Sequence, residues 1–244
     1  MGKERGLQRN EISIGIPNGD KANYFALNQK TVEFQGNKFK SENYGFNFGK
    51  FGFEYWTRET SDGFHRLADL SQAELDGMIE KTLQMYDPKA KVNQKDRNFI
   101  TKETGLERTF WRFTASPFAD TLFRFDSVNI DSNEGEIKGY NLLLNSKNIN
   151  LSFRRTSIDK NFNRIGDLLE YERNLFGTQT GFDRADMNLN WKINDKTIFD
   201  LTGLNVQSEQ GNAYRWSGNF KTPNFEFKGS MRKVDETFSR ANEI

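Results

Sequence analysis

The chain of 244 residues contains no cysteine and one histidine, His65. The first absence excludes a disulfide scaffold and any thiolate metal site; the second removes most histidine-based metal and triad chemistry. Neither sign of charge predominates: 35 Lys and Arg face 34 Asp and Glu, with a pI of about 7.8. That balance lacks the basic footprint of most nucleic-acid binders, and no nucleic-acid partner is expected. No run of 18 apolar residues occurs, so no spanning helix is predicted. The charged start, Met1 to Asn10, has no apolar core of a signal peptide. A cytosolic protein and a chain whose export signal lies elsewhere both stay open. Alanine (10) and valine (5) are scarce.

What is abundant is phenylalanine (23), asparagine (26) and glycine (20). Low Ala with high Asn, Gly and Phe favours strands and turns over helices. Period-two alternation recurs from about 106 to 234. Thr109, Trp111 and Phe113 share one face of a strand whose other face carries Arg108, Phe110, Arg112 and Thr114. Ile149, Leu151 and Phe153 alternate with Asn150, Ser152 and Arg154. The same alternation marks 184–193, 213–221 and 224–232, and less strongly 119–130, 136–145 and 197–207. Side chains in a strand point alternately to opposite faces, so each segment has one apolar and one polar face. At roughly 9–11 residues these strands exceed the usual ~5–6 and suit a tilted crossing of a bilayer. Short connections are expected to alternate with longer ones, the medium loops lying at 131–135 and 208–211.

The N-terminal part follows suit. Ile12, Ile14 and Ile16 alternate before a turn at Pro17-Asn18-Gly19-Asp20, Val32 and Phe34 mark a short strand, and 43–56 reverses or bulges at Gly49-Lys50. About thirteen strands result. Ser71-Gln72-Ala73-Glu74 is a capping box that opens a helix with its stripe at Leu75, Met78, Ile79, Leu83 and Met85, ending near Asp87-Pro88. A second short helix is expected at 168–175. The fold class is therefore mainly β, an antiparallel up-and-down meander forming a barrel or part of one, with a helical insertion near 62–104. The divisions are N-terminal strands (1–59), a helical loop insertion (60–105) and the main meander (106–244), all in one barrel-like domain.

This combination of long two-faced strands, aromatic apolar faces and polar faces bearing Arg and Asn resembles bacterial outer-membrane β-barrel proteins of the porin-like kind, and suggests a segment of a larger surface barrel. The resemblance implies an outer-membrane location and membrane lipid as a partner. It also implies a passive pore or surface scaffold for small hydrophilic solutes, without catalysis or cofactor. Further strands of a longer chain or other subunits are possible partners. Interface aromatics would be Trp111, Trp191, Tyr214 and Trp216; pore-lining residues would be Arg108, Arg112, Arg124, Arg154, Arg215 and Arg232. The chain departs from the family in its signal-free start and in a C-terminus, Ser239 to Ile244, without a terminal aromatic strand.

The alternative is a soluble antiparallel barrel or sandwich with its aromatic face inward around a small apolar or carbohydrate ligand. A carboxylate pair for glycoside hydrolysis, drawn from Glu107, Asp120, Asp126, Asp186 or Glu226, carries little weight among 34 acidic residues. No metal site is expected: Asp183, Asp186, Asp195 and Asp200 lack calcium-loop spacing, and the basic stretch Lys89 to Arg97 reads as a solvated loop.

Overall fold

A computed structural model describes residues 8–17, 23–65, 67, 70–86, 91–92, 96 and 103–238. The turn at 18–20, the helix end at 87–88, most of the 89–97 stretch and the C-terminus lie outside them. So do the side chains of Ile16 and Met85.

Among the described residues twelve antiparallel strands form one sheet in sequence order. They are β1 (Gln8–Pro17), β2 (Asn23–Phe34), β3 (Asn37–Phe48), β4 (Phe51–Thr60), β5 (Leu106–Ala115), β6 (Leu122–Ser132), β7 (Gly135–Asn145), β8 (Ile149–Ile158), β9 (Phe182–Asn194), β10 (Thr197–Ser208), β11 (Gly211–Lys221) and β12 (Glu226–Val234). Two α-helices interrupt the meander among the described residues, α1 (Gln72–Tyr86) between β4 and β5 and α2 (Glu170–Phe176) between β8 and β9. Both insertions emerge from the same end of the sheet. The fold is the expected antiparallel meander, with twelve strands where about thirteen were anticipated.

The connection pattern differs from expectation. The polar runs at 131–135 and 208–211 are not medium loops but two-residue turns, Asn133-Glu134 and Glu209-Gln210, on the helix-bearing end. In each, a serine hydroxyl closes the reversal. Ser132 Oγ donates to the Gly135 carbonyl and accepts from the Glu134 amide, and Ser208 repeats this with Gly211 and Gln210. The closing glycines have φ of +122° and +120°, which a side chain would oppose. Gly49 and Lys50 likewise form a hairpin turn that returns Phe51 to the face of Phe48.

The pairing register divides the sheet into two faces. The face that meets the helices is the inner one. It carries Val32, Phe39, Trp56, Phe110, Ile130, Ile137 and Val206, buried in two clusters against α1, α2 and their flanking segments. Laid flat, β2 to β11 would span about 43 Å at ~4.8 Å per strand, whereas a helix is only ~10–12 Å across. The helices alone therefore do not span that width, and segments outside them, among them Phe162, Leu168 and Phe238, complete the cover.

The outer face splits along its length. Toward the helix-bearing end it is polar, with Glu33, Lys40, Glu59, Glu107, Asp131, Arg155 and Asp183. Toward the other end it is apolar on every strand, from Ile12 and Ile14 on β1 through Phe46, Phe53, Phe113, Phe125 and Leu151 to Phe227 and Met231 on β12. Nothing in the described chain packs over this band. Ile12, Phe48, Trp191 and Phe227 are 50%, 59%, 42% and 61% exposed. Tyrosine and tryptophan mark its upper border: Tyr44, Tyr55 and Trp111 stand in one cross-strand row, with Tyr140 beyond Ser127.

Candidate functional site

The polar inner wall is the candidate site. Its central feature is a row of residues in direct cross-strand register: Glu54, Arg112, Asp126, Asn141, Arg154, Asp186, Leu204, Arg215 and Arg232 on β4 to β12. All six arginines singled out from the sequence point to this face. Their surroundings differ sharply.

Arg108 lies beneath the helices and is 1% exposed. Its cross-strand neighbour is Arg58, equally buried. Two adjacent cations out of water need compensation, and each insertion supplies a carboxylate. Arg108 donates from Nε and Nη2 to the two oxygens of Glu172 on α2, at 2.9 and 3.1 Å. Arg58 reaches Glu103 at 2.5 Å, Thr82 Oγ1 at 2.7 Å and the Met78 carbonyl at 3.2 Å. Glu103 also lies 3.1 Å from Arg108. Tyr86 completes the cluster, donating its hydroxyl to Glu172 and stacking on Tyr171. Burial pushes the Glu103 carboxyl up despite both guanidiniums. Burial acts the same way on Glu172, but the charge and hydrogen bonds of Arg108 hold it below the usual carboxylate range. The Tyr86 hydroxyl is pushed well above its ordinary value, first by burial and then by Glu172. This cluster locks both insertions to the wall.

Arg112 and Arg124 converge on Asp126. Arg112 Nε donates at 2.7 Å and Arg124 Nε at 2.7 and 3.0 Å, while Asn141 adds a bond at 3.3 Å. Arg154, Arg215 and Arg232 are solvent-exposed. Among the described residues, a narrow cavity of about 100 Å³, which Arg154 also lines, and two larger ones lie between the insertions and the wall. One, of about 460 Å³, lies over β2–β5 and is lined by Tyr24, Asn43, Glu54, Lys81 and Arg112. The other, of about 680 Å³, lies over β7–β11 and contains Arg154, Arg184, Asp186 and Arg215.

Of the four interface aromatics, Trp111 and Tyr214 border the polar part of the outer face, and Trp191 sits near its opposite end. Trp216 lies mid-band against Gly203, where a Cβ would come within 2.3 Å of its ring. Sequence reading did not find Arg58, Glu103 or Glu172. A glutamate three residues after Leu169, at a helix start, was the available signal: Glu172 accepts the Leu169 amide at 3.0 Å. Asp126 and Asp186, considered as catalytic carboxylates, are both ion-paired with arginine; Glu107 lies on the outer face. Among the described residues no group of three or more His, Asp or Glu is placed to hold a metal.

No family model matches the chain, and no curated protein or solved structure matches it.

Proposed function

We propose that this sheet lies in a bilayer as all or part of an outer-membrane-type β-barrel, its polar wall facing a water-filled interior partly occupied by the two insertions. The chain would serve as a passive route or surface scaffold for small hydrophilic solutes, with no bond made or broken. The observation that carries the reading is the outer apolar band. It crosses about 50 Å of sheet and is on the order of 1,000 Å² in area, well beyond the few hundred Å² a soluble monomer usually exposes. The row of Tyr and Trp at its border matches side chains that favour a membrane–water interface. A barrel with an internal apolar ligand is less well supported, because the aromatic face is turned away from the chain's own core.

β1 and β12 each have one hydrogen-bonded neighbour among the described residues. Unpaired strand edges are costly in lipid, so the reading requires those edges to pair, with each other or with further strands. Planar-bilayer recording of the refolded protein tests the proposal. Stepwise conductance is expected; absence of membrane insertion overturns it, and insertion without conductance leaves the scaffold role.

A further inference from the structure

Among the described residues, the larger cavity holds an excess of positive charge. Three guanidiniums line it, Arg154, Arg184 and Arg215, against one carboxylate, Asp186. That carboxylate is already engaged: Arg184 donates to it from Nε and Nη2 at 2.9 and 3.0 Å. Asp126, the next acid along the row, is held by Arg112 and Arg124. Arg154 and Arg215 therefore form no ion pair among the described residues. Arg215 moreover stands directly opposite Arg232 across the β11–β12 pair, a like-charge arrangement that opposes strand pairing unless an anion intervenes. The cavity also presents the neutral donors Asn141, Ser152 and Asn188.

We infer that this cavity is a binding site for small anionic solutes carrying carboxylate or phosphate groups, with Arg154 and Arg215 as the recognising guanidiniums. The planar fork of an arginine matches either group through two parallel hydrogen bonds. The backbones of these two arginines lie three strands apart, about 14 Å along the wall. An extended arginine side chain reaches about half that distance, so one small anion between the two can meet both guanidiniums. The inference rests on the proposed passage of solutes only in naming what would pass; binding itself needs no membrane.

Calorimetric titration of the detergent-solubilised protein with succinate and, separately, inorganic phosphate tests it. The two arms distinguish a carboxylate from a phosphate preference. Binding that weakens with added salt is expected, and Arg154→Gln or Arg215→Gln should each reduce affinity about tenfold or more, the scale of a hydrogen bond to a charged group. Lys221→Gln, an inner-face cation outside the cavity, should leave affinity unchanged. Both arginines are exposed, so the variants should keep the wild-type circular dichroism. No binding of either anion, or binding indifferent to both arginine substitutions, overturns the site. Anion binding by a protein that never conducts would sink the pore and keep the site. Conductance without anion binding would do the reverse.

Discussion

Arg108 shows how a residue can be readable in direction and unreadable in environment. Its place in an alternating strand tells which face it joins. Its burial depends on Glu172, 64 residues away, and on Glu103, held on a different insertion. The worth of such a cluster appears when it is broken: removing one member strands an opposite charge out of water. Arg108→Ala is expected to cost about 3–5 kcal/mol. Arg154→Ala, whose side chain is hydrated, should change stability by less than about 0.5 kcal/mol. Urea unfolding in detergent micelles distinguishes the two, and equal small effects would show that the cluster contributes nothing. At Gly203 the constraint is steric. Gly203→Val would collide with the Trp216 ring and is expected to destabilise by about 1–3 kcal/mol, with a shift in tryptophan emission.

Among the elements, α1 was the most legible. Its capping box is present in full: Glu74 accepts from the Ser71 amide and hydroxyl at 2.9 Å, and the Glu74 amide donates to Ser71 Oγ at 3.3 Å. The sequence did not reveal that the same carboxylate receives Lys30 from β2 at 2.9 Å and so ties the helix to the wall. Burial alone would raise the Glu74 carboxyl, but Lys30 and Ser71 hold it down, to about 2. Because the folded value lies below the ordinary 4.5, the stabilisation is complete above that pH and disappears as pH falls toward 2. Protection factors of the α1 amides, corrected for intrinsic exchange, should fall over that window, and Glu74→Gln should remove that fall. The tight turns at 133–134 and 209–210 were hidden for another reason. A polar run reads as a loop, yet Asp131 and Ser132 continue β6 because a serine hydroxyl closes the turn in two residues.

For the whole molecule, the decisive quantity is the apolar band. Reconstituted into vesicles of brominated phosphatidylcholine, the protein should lose most of the emission of Trp191 and Trp216, measured in a Trp56→Phe/Trp111→Phe variant. Trp56, buried against the inner wall, should be much less quenched in the complementary variant. Quenching of all alike, or of none, would contradict the membrane placement. The band is shallow on β3 and β4, where Tyr44–Phe48 and Phe51–Tyr55 flank the turn, and deeper on β9, from Ala185 to Ile193.

The sequence by itself determined the strands, their two faces, the α1 cap and the side of the sheet on which each arginine lies, because alternation and capping act between residues close in the chain. Only the tertiary structure decided which arginines are sealed in ion pairs and which remain free above a cavity. That outcome depends on where two insertions, far apart in the chain, come to rest against one wall. Coulomb compensation out of water is settled by spatial neighbours that no local pattern encodes.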